Sequence, residues 1–446
     1  MIFIAFLCTF AYEMNEATRE YIREHADSDV RQLALQGKKN PEVDMTYALE
    51  QIAGRQKAKT KLPSWAGIDG IVYPPHISME QCSSEQTARY KGCLVTADRC
   101  WTHYKGAAES GTSVTFVDLT GGFGVDFAFM ASAIRHHPTT VTPRFVYLEQ
   151  QPHLCAISSE NFKLLGLDAE VVNIDGIEYL HQMSHVGLVF IDPARRDSHG
   201  GRTYGIAECT PNVLLLMDEL MQKTDVLLLK LSPMLDWRKA VKDIQQSARA
   251  FVAEVHIVSV ENECRELLLL ITGKEVEDMT VCCVNLISGK PSQYFSFQSH
   301  NTSSSPLLSP FGSKQPADNL IPSSSSFSHF FEPNASIMKA GCYDELQAKF
   351  PIAQLDKNSH LYVSNKEIPE FPGRQFEIIR KTSMNRRELK EALEGIDRAN
   401  IAVRNFPLTV ADLRKRLKLK DGGDVFIFAT TVAKEGHQLF ICRKIG

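Results

Sequence analysis

A glycine-rich turn between an apolar run and an amphipathic run is the first feature that could bind a ligand. The segment VTFVDLTGGFGVDFAFMASAI, residues 114–134, reads as a strand, a turn and a helix. Gly121, Gly122 and Gly124 let the backbone pass close to a ligand without a Cβ clash. A phosphate-binding P-loop would need Lys and then Ser or Thr after the glycines, and the dinucleotide pattern fails at Phe127. The turn therefore favours a nucleotide-like ligand that neither phosphate motif describes.

Carboxylates flank this turn on both sides. Asp118 precedes the glycines and Asp126 follows them, so the turn is acidic. S-adenosylmethionine carries an ammonium and a sulfonium charge, which two carboxylates could balance, whereas a pyrophosphate would be repelled. We predict S-adenosylmethionine as the ligand, with Asp118, Thr120, the three glycines and Asp126 in its site.

Two more acidic residues follow the next two apolar runs. Glu149 ends RFVYLE, where a carboxylate accepts hydrogen bonds from both ribose hydroxyls of an adenosine ligand. Asp175, followed by Gly176, comes after AEVVNI, where a side-chain acceptor could meet the adenine amino group. The alternative is that Asp and Gly collect at strand ends as caps and turns. Acidic residues at three successive strand ends together favour the cofactor interpretation.

The segment VGLVFIDPARRD predicts the position of the chemistry. Asp192 ends the fourth strand, where an α/β sheet opens its crevice to a ligand, and it could also orient or deprotonate an attacking group. Arg195 and Arg196 could hold a phosphate or carboxylate through bidentate hydrogen bonds. The alternative is that these arginines pair with Asp192 and Asp197. KLSPMLD, residues 230–236, ends the fifth strand and could form another wall of the same crevice.

The elements that must position these residues alternate along the chain. Apolar runs separated by helix-length sequence predict buried strands in a doubly wound sheet, namely VTFVDL, RFVYLE, AEVVNI, VGLVFID, DVLLLKL, EVHIVSV and ELLLLIT. The last two runs are joined only by ENECR, so they could form an antiparallel pair. The sequence before them, from Met14 to about Gly111, reads as a helical region.

Composition restricts the protein class. A chain of 446 residues predicts two to three packed units, and a net charge of -4 argues against nucleic-acid binding by the whole surface. The 11 cysteines include no C-x-x-C pair, so we expect reduced thiols in the cytoplasm and neither zinc nor disulfides. The opening MIFIAFLCTFAY is too short for a membrane span and lacks the marks of a signal peptide. Whether translation starts at Met1 or Met14 stays open.

Basic charge is concentrated near the carboxyl end. Residues 380–420 contain twelve Lys and Arg against five Asp and Glu. The segment VADLRKRLKLK predicts a short basic helix, and the alternative is a solvated helix face balanced by nearby acids. We predict an RNA-binding surface, with the candidate contacts Arg404, Arg414, Lys415, Arg416 and Lys418.

The sequence resembles bacterial class I methyltransferases that carry a ferredoxin-like insert and a C-terminal THUMP-like domain. The resemblance covers nearly the whole chain after Met14 and rests on EQCSSEQTARYK, DLTGGFGVD, IDPARRD, KLSPMLD, ECRELL, FPGRQF, RNFPL and LKDGGD. It implies an α/β fold with a Rossmann-like methyltransferase sheet, an N-terminal helical region and a small α+β THUMP-like domain. It also implies S-adenosylmethionine at the glycine turn and strand ends. DPAR differs from the D/N-P-P-Y/F pattern of many exocyclic-amine methyltransferases, so the resemblance does not imply amino-group methylation.

These observations predict four regions and a function. The regions are an N-terminal helical region at 1–110, a methyltransferase domain at 111–275, a ferredoxin-like insert with a Ser/Pro-rich linker at 276–369, and a THUMP-like domain at 370–446. We predict a cytoplasmic S-adenosylmethionine-dependent methyltransferase acting on RNA, either tRNA or rRNA. The alternatives are a methyltransferase for a protein or small molecule, or a non-catalytic RNA-binding protein that binds the cofactor. The oligomeric state is left open.

Overall fold

The computed structural model describes residues 14–36, 41–97, 114–138, 142–194, 205–300 and 327–445. The predicted catalytic residues Arg195 and Arg196 lie outside these ranges, as does most of the Ser/Pro-rich linker. The chain divides into two compact units. The first lies within Met1–Val255 and Glu266–Met279, and the second within His256–Arg265 and Thr280–Gly446.

The amino-terminal part of the first unit is helical, as predicted. Polar side chains cap its helices: Asn15 accepts a hydrogen bond from the amide of Thr18, and Ser84 from that of Thr87. Pro63 begins a short helix, because proline is tolerated in the first turn. The helices are α1 Glu16–Glu24, α2 Val30–Gln36, α3 Met45–Lys61, α4 Pro63–Ala66, α5 His76–Gln81 and α6 Glu85–Thr96.

A largely parallel sheet follows in the first unit, which confirms the predicted doubly wound fold. Its strands lie in the order β3-β2-β1-β4-β5-β7-β6. β1 to β5 are parallel, and β7 is antiparallel to β5, as in the final hairpin of class I methyltransferases. Glu261 and Asn262 both have positive φ and make the tight turn between β6 and β7. The strands are β1 Thr115–Asp118, β2 Arg144–Leu148, β3 Glu170–Val172, β4 Val186–Ile191, β5 Thr224–Leu231, β6 Phe251–Val260 and β7 Glu263–Thr272.

Helices connect the parallel strands, and a fully buried core lies beneath them. The central strands are apolar on both faces, as a sheet covered on both sides requires, and Phe116, Val189 and Leu228 are buried. The helices are α7 Val125–His136, α8 Pro152–Leu164, α9 Gly176–Gln182, α10 Val213–Lys223 and α11 Trp237–Ile244.

The second unit is built on mainly antiparallel strands with short helices, and β14 and β15 are its parallel pair among the described strands. After β8 and β9 comes a seven-stranded sheet in the order β11-β12-β10-β13-β16-β15-β14. The predicted carboxyl-terminal hairpin is confirmed as the pair β15 and β16. The elements are β8 Asp278–Leu286, β9 Gln293–His300, β10 His329–Pro333, α12 Ala335–Ala340, α13 Tyr343–Lys349, β11 Ala353–Gln354, β12 Tyr362–Ser364, β13 Gly373–Ser383, α14 Arg386–Ala392, β14 Asn400–Arg404, α15 Val410–Leu417, β15 Val425–Val432 and β16 Gly436–Lys444.

Aromatic packing forms the core of this second unit. The rings of Phe330 and Phe428 stack with 4.4 Å between centroids, and Phe376 packs edge-on against Phe428. All three side chains are buried. Among the residues that the structure describes, no helix is long and apolar enough to cross a membrane.

Candidate active site

A cavity of about 840 Å³ opens at the carboxyl ends of β1, β2 and β4 in the first unit. This volume lies within the range of roughly 300–1,000 Å³ that small-molecule and cofactor sites occupy. Ten residues that the sequence assigned to the cofactor line the cavity together: Asp118, Thr120, Gly121, Gly122, Gly124, Asp126, Glu149, Asp175, Gly176 and Asp192.

Neighbouring side chains restrict two of the three glycines in the turn. A Cβ on Gly121 would lie 2.2 Å from the Tyr147 ring, and one on Gly124 would lie 2.7 Å from Phe162. Gly122 has a φ of +59°, which favours glycine, and a Cβ there would make only an ordinary contact of 3.9 Å with the Thr120 carbonyl oxygen. Close approach to a ligand, which the sequence suggested for all three glycines, is therefore a reason for glycine at Gly122, whereas packing already requires it at the other two.

Glu149 links the turn to the end of β2. Its Oε2 accepts a hydrogen bond from the amide of Gly122 at 2.9 Å, and its Oε1 accepts one from the amide of Gln151 at 2.8 Å. A carboxylate has about four acceptor positions, so two remain for a ligand. The side chain is thus held in one orientation while it lines the cavity.

Asp175 caps helix α9, which is the alternative role that the sequence left open. Its Oδ1 accepts hydrogen bonds from the amides of Ile177 at 2.8 Å and Glu178 at 3.2 Å. The residue is nevertheless exposed and lines the cavity, so capping does not prevent contact with a ligand. At Gly176 a Cβ would lie 2.0 Å from the carbonyl oxygen of Leu119, so the helix can begin here only with glycine.

Asp118 is a buried carboxyl group, and no cationic side chain in the described part of the chain forms an ion pair with it. Its Oδ1 accepts the amide of Thr120 at 2.9 Å. Burial raises the pKa of Asp118 well above its usual range, the Thr120 amide partly opposes this, and the nearby Asp126, Asp192 and Glu149 raise it further. A positively charged ligand in the cavity would favour the ionised form of this group.

Asp126 already has its counter-charges within the protein. Lys230 Nζ lies 3.0 Å from its Oδ2, and Lys91 Nζ lies 3.1 Å from its Oδ1. Burial would raise the pKa of Asp126, but Lys230, Lys91 and Ser83 together lower it to about 2. The sequence analysis assigned Asp126 to the positive end of the cofactor. In the structure its carboxylate forms ion pairs with Lys91 and Lys230, whose positions the sequence did not predict.

Lys230 connects this buried network to Asp192. Its Nζ lies 2.6 Å from Asp192 Oδ2 and 3.0 Å from Ser83 Oγ. The amide of Asp192 donates to Thr120 Oγ1 at 2.7 Å, so both the backbone and the carboxylate of Asp192 are fixed. Burial disfavours the charge of Lys230, but Asp126, Asp192 and Glu266 raise its pKa well above the usual value. Sequence reasoning noted KLSPMLD as a possible wall, but not Lys230 as the partner of Asp192.

The amino-terminal helices supply the rest of the network. Lys91 is fully buried and contacts Glu266 Oε2 at 2.5 Å. Ser83 Oγ donates to Asp126 Oδ2 at 2.8 Å or to Glu266 Oε1 at 3.1 Å. These residues belong to the segment EQCSSEQTARYK, which the sequence analysis used only as evidence for the family resemblance.

The predicted RNA contacts lie in the second unit and have different surroundings. The Arg414 guanidinium donates to the carbonyl oxygens of Ala399 and Lys420, both at 3.0 Å, and pairs with Asp421 at 2.6 Å. Lys415, Arg416 and Lys418 are exposed on and after α15, and Arg404, which ends β14, pairs with Glu332.

Comparison with known proteins agrees with this architecture. Residues 373–444 match the THUMP domain-like family, and residues 329–372 match the ferredoxin-like domain family. The crystal structure of a candidate methyltransferase from Porphyromonas gingivalis W83 is 28% identical, with matches over 96% of this chain and 98% of that one and a TM-score of 0.75. A candidate class I S-adenosylmethionine-dependent methyltransferase from Listeria monocytogenes matches 61% of this chain and 93% of its own at 12% identity, but its TM-score of 0.34 is too low to support an argument. No curated protein matches the chain.

The first unit therefore has the Rossmann-like fold of class I methyltransferases. Residues 329–444 match a ferredoxin-like and a THUMP-like domain, which is the combination of domains that the motifs of the chain indicated.

Proposed function

We propose that the protein is an S-adenosylmethionine-dependent methyltransferase that modifies RNA. The observation that carries the proposal is that the carboxylates after β1 and β2 meet a glycine turn in one cavity, together with Asp192 after β4. The similarity over nearly the whole chain to a candidate methyltransferase supports the reaction class.

The residues around the cavity fit the three parts of this cofactor. Glu149 has acceptor positions for the two ribose hydroxyls, and Asp175 offers an acceptor to the adenine amino group. Asp118 has no cationic partner among the residues that the structure describes, and it would become ionised beside the positive end of the ligand. When bound, S-adenosylmethionine supplies the electrophilic methyl group.

Asp192 is the proposed catalytic residue for the acceptor. Lys230 and Thr120 hold Asp192 in place. Its side chain is 37% exposed, and the residue lines the cavity. In this position the carboxylate can accept a hydrogen bond from the attacking N–H or O–H group and take its proton. Arg195 and Arg196 are proposed to hold the phosphate of the acceptor.

RNA is the proposed acceptor class, either tRNA or rRNA. Support comes from the THUMP-like domain and from the exposed basic residues on and after α15. The step from a THUMP-like domain to an RNA acceptor is an analogy with RNA-modifying enzymes. Action in the cytoplasm remains part of the same proposal.

Transfer of labelled methyl groups tests the proposal. Total RNA from a strain that lacks the protein is incubated with the purified chain and labelled S-adenosylmethionine, and wild-type RNA serves as the control. We expect label in one RNA class only in the sample from the deficient strain. Asp192→Ala should abolish transfer while cofactor binding persists. Cofactor binding without transfer to any RNA would contradict the RNA assignment and favour a protein or small-molecule acceptor or a non-catalytic role.

A further inference from the structure

Two arginines from separate sequence motifs meet at one buried carboxylate in the second unit. Arg374 comes from FPGRQF, and Arg404 comes from RNFPL. Arg374 donates from Nε to Glu332 Oε2 at 2.7 Å and from Nη2 to the same oxygen, while Arg404 Nη2 lies 3.4 Å from Oε1. Each carboxylate oxygen of Glu332 therefore has its own guanidinium partner.

The burial of these three side chains is unequal. The Glu332 side chain is 6% exposed, whereas those of Arg374 and Arg404 are 40% and 49% exposed. One negative charge is balanced by two positive charges, so the trio carries a net charge of +1. A guanidinium has five N–H donors, and the hydrogen bonds to Glu332 use two from Arg374 and one from Arg404. Several oriented donors thus remain for an anion from solvent.

The backbone fixes where the arginines lie. Arg374 is directly opposite Glu332 in the ladder between β10 and β13. At Gly373 a Cβ would lie 2.2 Å from the carbonyl oxygen of Glu332, so glycine lets the two strands approach at this point. Arg404 is the last residue of β14, which is an edge strand of the same seven-stranded sheet.

An aromatic pair lies close to Arg404. The rings of Tyr343 and His360 stack with 3.9 Å between centroids and an interplanar angle of 13°. Burial lowers the pKa of His360, and the charge of Arg404 lowers it further, while Asp356 opposes both. The imidazole is therefore biased toward its neutral form, which can stack with an RNA base as other aromatic rings do.

We infer that Arg374 and Arg404, oriented by Glu332, form a phosphate-binding clamp for the backbone of the RNA substrate. This inference rests on the RNA acceptor of the proposed function and names where its backbone binds. Planar guanidinium groups match the oxygens of a phosphodiester through paired hydrogen bonds. Arg414, by contrast, uses its donors on carbonyl oxygens of its own unit.

Binding of a fluorescein-labelled single-stranded RNA to the full chain, followed by fluorescence anisotropy over a series of salt concentrations, tests the clamp. Arg374→Gln and Arg404→Gln should each reduce the salt slope by about 0.7, which is about a five-fold loss of affinity at roughly 0.1 M salt. Arg443→Gln removes the same charge from an exposed position on β16 and is the matched control, for which the clamp predicts a smaller change in slope.

Glu332→Gln separates phosphate binding from fold stability. It weakens the contacts that orient the arginines but keeps both positive charges, so we expect a lower melting temperature, a salt slope close to that of the wild type and a smaller loss of RNA affinity than in either arginine variant. If the wild-type chain binds RNA and both arginine variants keep its affinity and salt slope, the clamp is wrong and the RNA proposal stands. If the wild-type chain binds no RNA at any salt concentration, the clamp and the RNA part of the proposed function both fail.

Discussion

Replacement of Lys91 by methionine tests the buried network on which the site rests. Lys91 is fully buried, with Nζ at 2.5 Å from Glu266 and 3.1 Å from Asp126. Lys91 and Lys230 offset three carboxylates in this network, those of Asp126, Glu266 and Asp192, so its net charge is −1. Lys91→Met changes that charge to −2 and leaves Glu266 without its lysine. Breaking a buried ion pair in this way costs about 3–5 kcal/mol.

Urea denaturation followed by tryptophan fluorescence measures this loss. Trp65 and Trp237 are buried in the first unit, so their fluorescence reports its unfolding. At an m-value of about 3 kcal/mol/M the midpoint should fall by roughly 1–2 M urea. The double variant Lys91→Met/Glu266→Gln removes both charges and should recover much of the loss.

A surface lysine provides the control for this substitution. Lys163 pairs with Glu160 on α8, and its side chain is 67% exposed. Lys163→Met should therefore change the free energy of unfolding by less than about 1 kcal/mol. A Lys91→Met protein as stable as the Lys163→Met protein would refute the assignment of Lys91 as a buried counter-charge.

Three further predictions concern the cavity. Gly176→Ala places a methyl group 2.0 Å from the Leu119 carbonyl oxygen, so it should lower the melting temperature and weaken cofactor binding, both measurable by thermal shift with and without S-adenosylmethionine. The pKa of Asp118 is raised, so the carboxyl group holds a proton below that pKa, and a cationic ligand favours release of the proton. Cofactor affinity should therefore fall as the pH is lowered. Calorimetry in buffers of different ionisation enthalpy should show proton release on binding, and Asp118→Asn should abolish it. Burial raises the pKa of Cys82 to about 11, so iodoacetamide at about pH 8 should modify it roughly a hundred-fold more slowly than the exposed Cys93, as peptide mass spectrometry can measure.

The fold was predictable from the sequence because its signals are local. Apolar runs of strand length separated by helix-length segments determine a doubly wound sheet, and the short ENECR connection restricts the last two strands to an antiparallel pair. The carboxyl-terminal hairpin was predictable for the same reason. The reason for glycine at each position of the turn was less predictable, because packing against Tyr147 or Phe162 depends on residues far along the chain.

The candidate site was predictable only where the topology itself places a residue. Strand ends of a parallel sheet meet at one edge, so Asp118, Glu149 and Asp192 could be expected together. Lys230 and Lys91 were not identified, because a lysine side chain has no positional rule and its partner is set by tertiary packing. Asp126 pairs with both lysines, whereas Asp192 in the same cavity pairs with Lys230.

The second unit shows the same limit for basic residues. A run such as VADLRKRLKLK predicts positive charge, but it does not separate the exposed Lys415 and Arg416 from Arg414, which binds carbonyl oxygens within the unit. The pairing of Arg404 with Glu332 is equally invisible in sequence, since the two residues lie 72 positions apart.

Calorimetric titration of S-adenosylmethionine into the full-length chain, with Glu149→Gln as the matched variant, tests the central claim most directly. We expect one saturable site in the wild-type protein and affinity lower by about ten-fold in the variant, because a hydrogen bond to a charged group contributes about 1.5–3 kcal/mol. Failure of the wild-type chain to bind the cofactor, or equal binding by the Glu149→Gln protein, would contradict the assignment of this cavity.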